Sequence, residues 1–218
     1  MIKAIGLGAG GHAKVILEIL LLDRQLEIRG LLASLPSEVG ATLCGVRVIG
    51  DDSMLPSLVQ QGVTHAFMGV GSTSKSDARR ALYDRATVLG LKMLTAIHPS
   101  AVISPSATVG PGAAILAGVI VNASARIGAN AILNTGAIVE HDVVVGDHCH
   151  IAPGAIVGGG VSIGAGSHIG IGAVVRHGQR IGSGVVVGAG AVVVSDIADH
   201  VIVVGVPARP RADASRGA

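Results

Sequence analysis

The sequence predicts a small α/β unit with a parallel, Rossmann-like sheet over residues 1–97, followed by a parallel β-helix of hexapeptide repeats over residues 98–218. Three observations carry this. An aliphatic residue recurs at every sixth position from Ile103 to Val193, sixteen times without an insertion. Glycines recur at every eighteenth position, at Gly118, Gly136, Gly154, Gly172 and Gly190. Upstream, apolar runs alternate with helix-period segments instead.

Composition agrees. The 218 residues include 33 Gly, one Phe, one Tyr and no Trp, at 50% hydrophobic content. The core must therefore be built from Val, Ile, Leu and Ala in many thin, similar layers. A net charge of +2 with no Lys/Arg run argues against a nucleic-acid partner. The run 15-VILEILLL-22 is too short for a membrane span and contains Glu18. The opening MIKAIGLGAGG lacks the signal-peptide pattern, and Cys44 and Cys149 make no disulfide framework. The expectation is a soluble cytoplasmic protein with no membrane contact.

In chain order, the first unit reads as a strand over 2–7, a glycine turn 8-GAGGHAK-14 and a helix over 13–23. Strands over 28–33 and 64–71, a helix over 76–90 and a strand over 91–97 follow. Gly6, Gly8 and Gly11 satisfy G-x-G-x-x-G at the strand–helix junction, where backbone N–H groups can approach a phosphate. A dinucleotide site also wants an acid about twenty residues on, and Ala33 and Ser34 stand there instead. A nucleoside diphosphate suits the loop better than NAD; a turn that only packs the helix is the other reading. His12, at the start of the helix, can cap it or touch a phosphate or sugar hydroxyl.

In the repeat, each hexad forms one side of a triangular coil, and residues eighteen apart stack at roughly 4.8 Å. Residues 103–198 make about five such coils. After Pro207 the repeat stops, and the end of the tail is expected to fray. His141 lies two places past the inward Val139 and is expected outward, near a corner, with Gly159 directly above it. A histidine below a bare backbone N–H is what a general base beside an oxyanion site needs. Asn134, one place after the inward Leu133, is expected outward near the same face, one coil below.

Strand alternation points Glu140 away, leaving Asp142 or another chain to orient His141. Asp142 and His148 also occupy corner positions, where Asp and His are tolerated for backbone reasons. His150 and His168 stack as a polar ladder, a cofactor contact or a surface stripe. His141 and His177 lie two coils apart, about 9.6 Å, beyond one-metal reach, and Gly182 stands where a third histidine is expected. No metal is therefore expected. The alternative is a zinc-dependent hydratase like the γ-type carbonic anhydrases, which use this helix.

GAGGHAKV, 45-GVRVIGDD-52, 98-HPSAVISPSATVG-110, ILNTGAIVEHDVVVGDHCHIAPGA and 204-VGVPAR-209 together resemble one family. It is the group of sialic-acid O-acetyltransferases and nucleotide-amino-sugar N-acetyltransferases, within the hexapeptide-repeat acyltransferases. The resemblance implies a left-handed β-helix and a homotrimer, with acetyl-CoA lying between neighbouring prisms and the nucleotide-linked amino sugar on the N-terminal domain. It implies His141 as catalytic base, Asp142 as the acid beside it (commonly Glu in the family), and the Gly159 amide at the thioester oxygen. It implies substrate contacts at Gly8, Ala9, Gly10, Gly11, His12 and Asn134. Cofactor contacts are implied at His150, Gly172, Gly190, Pro207 and Arg209.

Members acting on UDP-sugars resemble one another in an acidic pair after the second strand. Ala33 and Ser34 replace it here, which favours a purine nucleotide. The implied reaction is N-acetylation of the C4 amine of a GDP-linked 4-amino-4,6-dideoxyhexose of the GDP-perosamine type, serving surface polysaccharide (O-antigen) synthesis. A UDP-linked 4-amino sugar and sialic acid are the alternative acceptors.

Overall fold

The computed structural model describes residues 1–72 and 77–211. Its first sheet is built from β1 (Ile2–Leu7), β2 (Leu26–Leu32), β3 (Thr42–Leu43), β4 (Val46–Gly50), β5 (His65–Met68) and β6 (Lys92–Met93) in the order β3-β4-β2-β1-β5-β6. All neighbours are parallel except the β3–β4 hairpin. Ala4 to Leu7 of β1 are buried, as a central strand of a covered parallel sheet requires. Helices α1 (Gly11–Leu20), α2 (Leu55–Gln60) and α3 (Asp77–Val88) complete this part.

Helix α1 explains how the two architectures join. Ala13, Ile16, Leu17, Ile19 and Leu20 recur at helical spacing and are buried. Ile16, Leu17, Ile19 and Leu20 share a cluster with Leu31 and Phe67 of the sheet and with Ala114, Leu116 and Ile132 of the prism. Burying one such aliphatic side chain contributes roughly 1.5–3 kcal/mol. The helix starts two residues earlier than the sequence predicts, because Gly10 takes the extended N-cap conformation. The hairpin and α2 are too short for periodicity to mark.

The stretch 91–97, expected as one strand, is divided. Lys92–Met93 joins the first sheet, whereas Ala96–Ile97 pairs with Ala114–Ile115 and opens the prism one hexad before Ile103. From there the chain visits three faces in rotation. The first face stacks Ala114–Ile115, Ile132–Leu133, His150–Ile151 and His168–Ile169; the second stacks Ile120–Val121, Ile138–Val139 and Ile156–Val157; the third stacks Arg126–Ile127, Val144–Val145 and Ser162–Ile163. Partners are eighteen residues apart, as the glycine spacing requires.

Two inward columns fill the prism: Val139 and Val157 with Ala137 and Ala155 between them are fully buried. At the corners a positive φ is needed, met by glycine at most and by Asn130, Asp142 and His148 at others. After Pro207 the chain stays ordered: Arg209–Pro210 pairs antiparallel with Ile202–Val204. The part of the tail after 211, expected to fray, lies outside the described residues.

Candidate active site

The strand–turn–helix unit at the N-terminus forms a cradle. Gly8 has φ +108°, and a Cβ there would lie 2.6 Å from the Val70 amide nitrogen, so only glycine fits. Side chains at Gly10 and Gly11 would meet nothing within 4 Å; both positions face open space. The first turn of α1 holds no acidic residue and no side-chain cap, leaving its amides available to an anion. Gly6 serves packing instead, since a Cβ there would lie 2.5 Å from Phe67. The loop from Gly8 through His12, with Leu32, Ala33, Ser34 and the turn Gly69–Gly71, lines a cavity of about 480 Å³.

A second cavity of about 300 Å³ adjoins the first, sharing Gly11, His12 and Gly71, and its far wall is prism: Leu116, Ile132, Asn134, Thr135 and His150. The Thr135 amide donates to Asn134 Oδ1 at 2.8 Å, which leaves the Asn134 amide group to donate to His150 Nε2 at 3.1 Å. His150 therefore carries its proton on Nδ1. Its ring meets His168 edge-on, with centroids 4.9 Å apart. Burial, then His168, pushes His150 down to about 4. Burial, then Arg79 and His150, pushes His12 down to about 3. Both imidazoles are neutral at pH 7. His12 Nε2 is buried and has no hydrogen-bond partner among the described residues.

Behind these cavities lies Arg79 of α3, only 2% exposed. Its guanidinium donates to the carbonyl oxygens of Val70, Asn130 (3.3 Å) and Gly112 (3.5 Å). Burial lowers it to about 9, so it stays charged. It ties the cavity-lining turn at Val70 to two corners of the prism. Nothing in the sequence distinguishes it from the surface arginines of the same helix, Arg80 and Arg85.

His141 stands at the corner between the second and third faces. Its Nδ1 lies 2.8 Å from Asp142 Oδ2, and its backbone N–H donates to Glu140 Oε2 at 3.3 Å. The bond to Asp142 raises the imidazole's pKa above its ordinary value, against an opposing desolvation, with the charges of Asp142 and then Glu140 adding to the rise. Asp142 reaches the ring because its φ of +60° turns the chain at this corner. One coil above, Gly160 N–H donates to the His141 carbonyl at 2.9 Å. The Gly159 N–H makes no hydrogen bond among the described residues. A Cβ on Gly159 would fall 2.6 Å from His141 Nε2, so the ring lies directly over the glycine.

The structure thus gathers Gly8, Ala9, Gly10, Gly11, His12, Asn134 and His150 around two joined cavities. It sets His141, Asp142 and Gly159 together at another corner. The expectation that Asn134 lies one coil below His141 is corrected: Asn134 follows a first-face strand and His141 a second-face strand. Six residues make one side of the triangle and eighteen one turn, so the seven positions from Asn134 to His141 cross a single corner-to-corner side, and Ala123 lies below His141. Gly172 and Gly190 are open at the first-to-second corner, two and three coils above Gly136. Pro207 and Arg209 are exposed where the prism ends.

His148 packs edge-on against Tyr83 and bonds Asn130 at 2.9 Å, a seam between α3 and the prism. His150 is buried and is no surface stripe. Among the described residues, no group of three or more His, Cys, Asp or Glu is placed to hold a metal ion. Periodicity did not reveal the wall Gly69–Gly71, Ser72 and Thr135; the apolar run into 69-GVG-71 beside the central strand was the available signal.

Residues 3–86 match the PglD N-terminal domain, and residues 124–159 match the bacterial transferase hexapeptide (six repeats). Comparison with curated proteins gave no match. Among solved structures, the chain is similar to a histidine-to-asparagine variant of perosamine N-acetyltransferase from Caulobacter crescentus, in complex with CoA and GDP-perosamine. Identity is 40%, coverage 97% of each chain and the TM-score 0.90. It is similar also to the acetyltransferase domain of PglB from Neisseria gonorrhoeae in complex with acetyl coenzyme A, at 37% identity over 96% of this chain and 99% of that one, TM-score 0.88. WeeI from Acinetobacter baumannii shares 26% identity over 96% of this chain and 100% of its own, TM-score 0.81. With both parts matched and similarity running end to end, the chain belongs to the hexapeptide-repeat N-acetyltransferases that carry a PglD-type N-terminal domain, and it is an acyltransferase.

Proposed function

We propose that this chain transfers the acetyl group of acetyl-CoA to the C4 amine of a GDP-linked 4-amino-4,6-dideoxyhexose, GDP-perosamine or a near relative. The observation that carries the reading is the stack of His141, held by Asp142, on the Gly159 amide, which has no hydrogen-bond partner among the described residues. In support, structures of the perosamine N-acetyltransferase with CoA and GDP-perosamine include variants in which a histidine is replaced.

With Nδ1–H donating to Asp142, His141 Nε2 carries the free lone pair. The neutral C4 amine attacks the thioester carbon, and the carbonyl electron pair moves onto oxygen, facing the Gly159 N–H. Such a donor is worth about 2.7–4 kcal/mol in comparable sites. Nε2 takes the proton that the nitrogen must lose as the C–N bond forms. Collapse breaks the C–S bond, and the departing thiolate receives that proton, leaving an acetamide and free CoA.

In this reading residues 1–97 hold the nucleotide, with the diphosphate on Gly8 to Gly11 and the hexose between His12 and Asn134. Residues 98–218 hold the acetyl donor. CoA runs past His150 and along the bare corner at Gly172 and Gly190, towards Pro207 and Arg209. The cavities and His141 occupy different corners of one prism. The second face between them carries an outward aliphatic column, Val102, Ile120, Ile138, Ile156, Val174 and Val192, with Val102 64% and Ile156 40% exposed. A homotrimer covers that column and brings the cavities of one copy towards His141 of the next. The product is assigned to surface polysaccharide (O-antigen) synthesis in the cytoplasm, where nucleotide sugars and acetyl-CoA are available.

Thiol release from acetyl-CoA, measured with GDP- and UDP-linked 4-amino sugars and with free sialic acid, tests the reading. Release with the GDP-linked amine alone is expected. Release with only the UDP-linked amine overturns the nucleotide assignment, release with only sialic acid overturns the amine, and silence with all three overturns the reading itself.

A further inference from the structure

Resting on that reading, we infer that Glu38 is the residue by which this chain selects guanine. The large cavity has a phosphate end at Gly8 to Gly11, and the chain leaving β2 supplies Ala33, Ser34, Leu35 and Glu38 to the same cavity. In a doubly wound sheet the nucleoside lies past the second strand. Ala33 and Ser34 are short and leave room for a ribose. Leu35 is 56% exposed and offers an apolar surface to a base.

Among the described residues, two carboxylates line this cavity. That of Asp52 is engaged, its Oδ2 paired with Arg85 Nη1 at 2.6 Å. That of Glu38 has no hydrogen-bond or ion-pair partner among the described residues, while its backbone is fixed: its N–H donates to Leu35 O and its carbonyl accepts from Ala41, both at 3.0 Å. An ionised carboxylate only accepts hydrogen bonds, and it takes two parallel N–H donors best. Guanine presents such a pair side by side, N1–H and the 2-amino group. Uracil's single N–H is flanked by carbonyls, one of which would face the carboxylate. Adenine offers one donor beside a ring acceptor. Glu38 is therefore attractive to guanine and repulsive to uracil, which accounts for specificity where an acidic pair after β2 is missing.

Calorimetric titration of the full chain with GDP, inosine diphosphate and UDP tests this without turnover. Inosine differs from guanosine only in lacking the 2-amino group. The wild-type chain should bind GDP about tenfold or more tighter than either other ligand. Glu38→Ala should lose that margin for GDP, bind GDP and inosine diphosphate alike, leave UDP no weaker, and melt where the wild type does. If wild type binds GDP and inosine diphosphate equally, or Glu38→Ala keeps the discrimination, the assignment of Glu38 is overturned while a GDP preference over UDP can stand. If the wild-type chain prefers UDP, the guanine reading of the proposed function falls with it. The inosine comparison needs no variant, so a folding defect in Glu38→Ala cannot shelter the proposal.

Discussion

His141 Nε2 lies where a side chain on Gly159 would have to go: a Cβ built on that glycine falls 2.6 Å from it. One hexad coil separates the two residues in sequence, and the 18-residue register makes them neighbours. Gly159 is not in the left-handed region, so alanine can adopt its backbone. Gly159→Ala should therefore leave folding intact while tilting the imidazole off the site and crowding the amide. The expected result is a fall in kcat of about a hundredfold or more, with an unchanged melting temperature.

In the proposed mechanism, Asp142 sets the pH at which His141 works as the base. The base must be unprotonated, so activity falls as pH drops through its pKa in the folded protein. That pKa is raised, chiefly by the hydrogen bond from Nδ1–H to Asp142. Asp142→Asn weakens the cause, so the acidic limb of the kcat/KM profile should move to lower pH even as the maximum rate drops. A limb that stays in place would detach Asp142 from His141.

His12 and His150 predict acid lability. Their folded pKa values, about 3 and about 4, lie below the ordinary value of 6.5. Between pH 6.5 and about 4 the unfolded chain binds protons at both sites that the folded chain does not, so the contribution of these two groups to stability falls as pH is lowered through this window and levels off above it. Denaturant midpoints at pH 5 and 7.5 measure the effect. His150→Gln should flatten part of it.

How far the sequence exposed this site depends on which part of it was periodic. Val139, His141 and Gly159 were legible because hexad arithmetic turns sequence distance into spatial neighbours. The same arithmetic, applied across corners, misplaced Asn134 relative to His141: it locates residues along a column, while turning between faces takes only six residues. The joining of His12 to Asn134 and His150 was not legible, since it depends on α1 docking against Leu116 and Ile132, a packing of two unlike architectures that neither period encodes. Arg79 was hidden for the same reason. Its three acceptors are backbone carbonyls at Val70, Gly112 and Asn130, brought together only by the fold.

Arg79→Met should be the most destabilising change in the α/β part. It removes a buried cation whose five donors serve three carbonyls in separate segments, leaving those carbonyls unpaired; loss of about 3 kcal/mol is expected by analogy with broken buried charge networks. Urea unfolding of wild type and variant measures it. Arg80→Met, on the exposed side of the same helix, should stay within about 0.5 kcal/mol.

The most direct test of the account is acetyl transfer from acetyl-CoA to a GDP-linked 4-amino sugar by wild type, His141→Ala and His148→Ala, followed by thiol release and by the mass of the sugar product. Acetylated sugar from wild type and His148→Ala, with turnover lost in a folded, GDP-binding His141→Ala, is the predicted result. Wild-type turnover in His141→Ala, or its loss in His148→Ala alone, would contradict the assignment of the base.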